Sequence, residues 1–295
     1  MSSLKEHLDK HLIDLAWSLW TELGVAGIQN KHRQFLIQPE ELILLTSVIG
    51  ETDPRLRDEA LDWCSRYHSL ISVSRLKTLA KAFGELTIKS FSIFAATLNS
   101  ISGANWPVLV PSSPLKCKPS GKSKSPRFEN PALLLFRLRA LFGVGARADL
   151  IGFFLAKKAD CYTVADTIDT GYTKRNLADV LDGFAQAKIC DVSMVRNHKS
   201  YRFTKRDDFL RILGPLPGFM PSWRDLFETI LKLRDCIHRT EAKTIDVRVV
   251  EIRNTLIRAK NLLSRLNWTP PPFQADFEVY WNSFSAWILQ ILKNL

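Results

Sequence analysis

TVADTIDTGYTKRNLADVLDGFAQAKICDVSMVRNHKSYRF, residues 163–203, changes its hydrophobic period partway along, and that change decides how the chain is read. Thr163 to Asp169 offers a short helix with Val164, Ala165 and Ile168 on one face. Thr170-Gly171-Tyr172 breaks it, because glycine accepts the left-handed backbone of a tight turn. Thr173 then caps a second helix, 173–187, in which Leu177, Val180, Leu181 and Phe184 recur at i, i+3, i+4 and i+7. After Ala187 the period falls to two. Val192, Met194, Tyr201 and Phe203 alternate with Asp191, Ser193, Val195, Ser200 and Arg202, which predicts a small hairpin over 190–204.

The buried stripe of the second helix fixes its outer face. Thr173, Lys174, Arg175 and Asn176 lie in the first turn, with Asp179 one turn later. Arg and Lys pair with guanine acceptors and Asn with adenine, so this is a set suited to base edges and phosphates. Asp179 either accepts from a cytosine amine or balances Arg175 at i, i+4. The hairpin tip, Arg196-Asn197-His198-Lys199, is basic and polar, as is Arg202 behind it, which suits a wing laid along a phosphate backbone. The pattern is that of a winged helix-turn-helix. Such domains also serve as protein-interaction modules, where a basic first turn is only a solvated face.

Phe136 to Phe203 is similar to the winged-helix domains of ArsR- and MarR-like bacterial transcriptional regulators, and GYTKRNLADVLDGFAQAKI carries the likeness. The resemblance implies that the second helix of the motif enters the major groove while the wing touches backbone, with Lys174, Arg175 and Asn176 reading bases. A further stretch, QPEELILLTSVIGETDPRLRDEALDWCSRY, residues 38–67, together with this domain resembles regulators related to AbiEi-like antitoxins, which accompany nucleotidyltransferase toxins. That resemblance implies a protein that represses its own promoter and binds the toxin. In those antitoxins the winged helix is N-terminal, whereas here it is central.

The rest of the chain is organised around this domain. At 295 residues with 46% hydrophobic content, it is long enough for about two domains. Residues 1–110 carry 11 basic against 12 acidic side chains, and residues 111–130 carry 5 against 1. Residues 131–213 carry 14 against 9, and residues 214–295 carry 11 against 8, so most of the +11 excess lies in and just before the central domain. That distribution suits a polyanionic partner met by the middle of the chain, namely double-stranded DNA.

Residues 1–110 read as an α-helical domain. Leu4, Leu8, Leu12, Leu15, Leu19 and Leu23 form one stripe, Pro39-Glu40-Glu41 suits a first turn, and Asp53-Pro54 and Ser74 mark further helix starts. DEALDWCSRYHSLISVSRLKTLAKAF, residues 58–83, reads as a packed helix pair; its outer face, with Arg75, Lys77 and Lys81, is a faint second helix-turn-helix signal. Residues 111–130, PSSPLKCKPSGKSKSPRFEN, lose all apolar periodicity and read as a flexible basic linker. Residues 131–213 form the winged helix-turn-helix domain, opened by a helix through ALLLFRLRALF.

Residues 214–295 form a C-terminal α-helical region: helices at 223–239, 247–266 and about 275–295, the first introduced by the turn-rich Gly214-Pro215-Leu216-Pro217-Gly218. The last helix presents Phe277, Tyr280, Trp281, Phe284, Trp287, Ile288, Ile291 and Leu292. Its broad face either packs inside the chain or receives a partner protein or a second copy in a homodimer. All eight tryptophans lie outside the central domain, so the two flanks can form one composite body. The fold class is mainly α, with one small β-hairpin.

No GxSxG elbow, Walker loop, HExxH helix or paired-carboxylate motif occurs, so the chain reads as a non-enzyme. GVGARA, residues 143–148, matches a relaxed dinucleotide fingerprint but follows a helical segment, and Gly143 and Gly145 read as a turn. Five scattered cysteines show no metal-ligand spacing, so no cofactor or metal is expected. The charged N-terminus and the lack of a long apolar run predict a soluble cytoplasmic protein with no membrane association. The leading expectation is a DNA-binding transcriptional regulator, a repressor; the alternative is a protein-interaction module or the antitoxin-like partner of a nucleotidyltransferase toxin.

Overall fold

The computed structural model describes residues 3–27, 31–157, 159–195 and 197–295. It is mainly helical with one small antiparallel sheet. Five helices come first: α1 (Leu4–Glu22), α2 (Pro39–Ile49), α3 (Pro54–Tyr67), α4 (Val73–Phe83) and α5 (Glu85–Ile101). Their starts follow from local chemistry. Ser3 and Glu6 form a reciprocal capping box at α1, Asp53 takes the Leu56 amide at 3.1 Å ahead of Pro54, and Ser72 takes the Arg75 amide. The α2 helix is buried along its whole length, its apolar residues in the core and Glu40 and Glu41 paired with arginines.

The central region holds α6 (Leu134–Phe142), α7 (Ala146–Ala156), a 3-10 helix (Ala165–Thr170), α8 (Lys174–Gln186), strands β1 (Cys190–Val195) and β2 (His198–Phe203), and α9 (Arg206–Leu213). The strands pair with Val192 opposite Tyr201 and Met194 opposite Lys199. Four helices follow: α10 (Trp223–Thr240), α11 (Ile245–Arg258), α12 (Lys260–Arg265) and α13 (Phe277–Lys293). Among the described residues no helix is long and apolar enough to cross a membrane.

Two hydrophobic cores result. One joins the helices before the central region to those after it, with Trp20, Trp63, Trp223, Phe227 and Phe284 fully buried. Trp20 and Trp63 meet edge to face at 5.5 Å between centroids, and each indole N–H is satisfied, by Thr46 and by the Leu23 carbonyl. The second core lies within the central region and includes Leu138, Ile151, Phe154, Leu177, Leu181 and Phe184. The flanks thus make one body, and the central domain sits against it.

The structure departs from the sequence reading in several places. Residues 163–169 wind as a 3-10 helix shifted to 165–170, and the helix expected over 247–266 breaks at Ala259 into α11 and α12. Residues 111–130, read as a flexible linker, carry no helix or strand yet are tied across α3 and α5. Thr97 accepts from the Leu115 amide at 2.9 Å, and Asp62 accepts from the Gly121 and Ser123 amides at 2.8 and 3.2 Å. Side chains of the helices thereby replace the ladder partners that this segment lacks. The aromatic face of α13 is filled from within the chain: Tyr280, Phe284, Ile288 and Leu292 are buried in the first core, beside α1 and α11.

Candidate nucleic-acid interface

Helix α8 forms because Thr173 takes the Asn176 amide and because Leu177, Leu181 and Phe184 are buried in the second core. Anchored on that side, it leaves Thr173, Lys174, Arg175, Asn176 and Asp179 exposed. Lys174, Arg175 and Asp179 make no ion pair with a described residue, so the i, i+4 balance between Arg175 and Asp179 does not form. The first turn therefore presents two cations and an amide side chain to solvent at the positive end of a helix dipole.

The hairpin stands beside α8 and is fastened to it by a residue the sequence reading passed over. Asp182 accepts from the Lys199 ammonium at 2.8 Å and from the Tyr201 hydroxyl at 2.7 Å. These two bonds hold the Asp182 carboxyl below its usual range. Lys199 is consequently engaged with α8 and not a free tip cation. A signal for this existed: Lys199 and Tyr201 share one face of a strand by the period of two, so a carboxylate on the facing helix was a readable partner. Asn197 turns the hairpin in the left-handed conformation, with φ at 64°, and Asn197, His198 and Arg202 are exposed. Arg196 lies outside the described residues. Val192 and Met194 are 49% and 66% exposed. Among the described side chains of the hairpin, only those at its base, with Cys190 and Tyr201 beside Tyr162, reach the core.

Beneath the turn that launches α8 lies a buried charged cluster that joins the central domain to the body. Arg75, expected on an outer face, is 1% exposed and ion-paired. It binds Glu40 at 2.6 Å, holds Glu41 with both terminal nitrogens, and donates from Nε to the Thr170 carbonyl at 2.7 Å. Arg139 of α6 bridges Glu40 at 2.8 Å and Asp149 of α7 at 3.0 Å. The Tyr172 hydroxyl donates to Asp149 at 2.8 Å and lies 3.1 Å from Ser72 Oγ. Gly171 occupies a position where any side chain is strained. Its φ is +86°, and a Cβ there would stand 3.0 Å from Arg75 Cγ.

Three carboxylates face two guanidiniums in this cluster, and the imbalance falls unevenly. Burial pushes Glu40 upward, but Arg139 and Arg75 outweigh it and hold it at about 2. Glu41 has only Arg75 and also feels the charge of Glu40, so burial raises it to about 7. From the far side, Arg224 of α10 donates to the Ile168 carbonyl at 2.7 Å and approaches Asp169 at 3.5 Å. A cavity of about 230 Å³ lies at this junction, lined in part by Arg75, Asp149, Phe153, Asp169, Met220 and Arg224. The approach to α8 is thus held by α4 on one side and α10 on the other.

Comparisons with protein-family models, with curated proteins and with solved structures each return no match.

Proposed function

We propose that the chain is a sequence-specific DNA-binding transcriptional regulator acting as a repressor in the cytoplasm. Helix α8 enters the major groove, and the hairpin serves as the wing of a winged helix-turn-helix. The observation that carries this reading is the exposed, unpaired turn Lys174-Arg175-Asn176 at the N-terminus of a helix whose opposite side is fully anchored. A rigid helix with free cations and an amide at its leading end has the donors that base edges and phosphates accept. The concentration of positive charge in residues 111–213 adds the sequence-independent part of the affinity.

Fluorescence anisotropy with the chain's own upstream DNA and a scrambled duplex, across several salt concentrations, tests the proposal. Preference for the native duplex that persists at physiological salt is the expected result. Equal binding to both that disappears as salt rises would leave only a basic surface. A second reading, a protein-interaction module or antitoxin-like partner of a nucleotidyltransferase, is favoured by one observation: Val192 and Met194 stand exposed on the hairpin, where a phosphate backbone offers them nothing.

A further inference from the structure

Helix α13 fills its aromatic face from inside, but α11 leaves an apolar stripe outside. Val247, Val250, Asn254 and Ile257 recur at three- and four-residue steps along this 14-residue helix. Val247, Val250 and Ile257 are 42%, 48% and 61% exposed, while Val249, Ile252 and Leu256 on the other side are buried in the body. Beside Ile257 an apolar groove opens, lined by Leu263, Pro270, Phe273 and Tyr280. Phe273 is itself 46% exposed, and Arg253 stands over its ring at 4.4 Å. Adjoining exposed apolar groups of this kind mark a contact surface more often than a bare one.

We propose that this face is closed by a second copy of the same chain, with the two α11 helices lying antiparallel about a two-fold axis. The charges on the helix select that arrangement. Asp246 and Glu251 lie in its N-terminal half, where Arg248 is turned back onto the Glu241 and Lys243 carbonyls, and Arg253, Arg258 and Lys260 lie in or just beyond its C-terminal half. Parallel helices would set like charge against like. Antiparallel helices set each acidic half on the basic half of its mate, which is the self-complementarity that an isologous contact requires. Val247 and Val250 of each copy then face the Ile257 and Phe273 side of the other, and Asn254 is a polar position within the seam, a device that fixes register in helix pairs.

Sedimentation velocity of the full chain without DNA tests this, from about 1 µM to about 100 µM, a range that brackets a small reversible interface. The expected result is a monomer–dimer equilibrium that shifts with concentration and weakens with added salt. Val250→Glu and Ile257→Glu, both at exposed positions, are expected to stay monomeric throughout while keeping the wild-type circular dichroism spectrum. Ile212→Glu, at a 68% exposed position on α9, is expected to dimerise as the wild type does. A wild type that is monomeric at every concentration would overturn the proposal, as would dimeric Val250→Glu and Ile257→Glu or a monomeric Ile212→Glu. Association that strengthens with salt would overturn the antiparallel arrangement. The measurement contains no DNA, so its outcome is separate from that of the regulator proposal.

Discussion

The Nε of Arg75 on α4 donates to the carbonyl of Thr170 at 2.7 Å, while the same guanidinium holds Glu40 and Glu41. A single side chain of the body therefore positions the turn from which α8 starts. The ion pairs neutralise a charge that burial would otherwise penalise, and the Nε bond uses what remains of the fork to fix a backbone.

Replacing Arg75 by methionine keeps much of its volume but leaves Glu40 and Glu41 facing one another with Arg139 alone. Breaking a buried pair by removing one partner costs about 3–5 kcal/mol. Urea denaturation followed by circular dichroism is expected to show a loss of this size, and a change below about 1 kcal/mol would mean that solvent reaches the cluster.

The raised Glu41 gives stability a direction with pH. Its folded pKa of about 7 exceeds the ordinary carboxylate value of 4.5, so between these values the folded state binds more protons than the unfolded state. Stability from this group is complete below about pH 4.5 and is lost as pH rises to about 7. The loss is roughly 1–3 kcal/mol. Glu40 works in the opposite sense and at lower pH, losing its contribution as pH falls from 4.5 towards about 2. Glu41→Gln is expected to flatten the denaturation midpoint between pH 5 and pH 7 relative to wild type.

Gly171→Ala places a Cβ at φ +86° and 3.0 Å from Arg75 Cγ. The left-handed backbone and the contact together are expected to cost roughly 1–3 kcal/mol, read as a lower thermal midpoint. A variant as stable as wild type would show that the turn and α4 separate readily.

On the regulator reading, Arg175→Ala is expected to lose about 1–3 kcal/mol on the native duplex and little on a scrambled one. Lys199→Ala is expected to change DNA affinity less than Lys174→Ala, because Asp182 already engages Lys199. Asp182→Asn releases that cation, and the salt dependence of binding to any duplex is expected to steepen by about one unit. Anisotropy titrations at several salt concentrations distinguish the three.

Much of α8 was legible before the structure. Thr173 as cap and the Leu177, Leu181 and Phe184 stripe are local properties, written within one helix and decided by its period. Arg75 was not legible. It shares α4 with Lys77 and Lys81, and nothing in one sequence marks which of the three meets acids 34 and 35 residues away. The exposure of Val192 and Met194 was not legible for another reason. Alternation assigns residues to faces of a strand, but whether a face is covered depends on how far the neighbouring helix extends, which is a tertiary fact. The strap over residues 111–130 escaped because its partners are single polar side chains on α3 and α5, which leave no periodic trace.

The body is assembled from two separated lengths of chain, with the central domain between them. On a ribosome, residues 134–213 emerge with nearly all of their own core already present, whereas α1, α2 and α4 must wait for α10 and α13 before the faces turned towards those helices are covered. The domain proposed to touch DNA can therefore become ordered first, and the part that holds it in place closes last. Synthesis that stalls between α9 and α10 would release a finished head on an unfinished frame, with α1, α2 and α4 facing a gap where α10 and α13 belong.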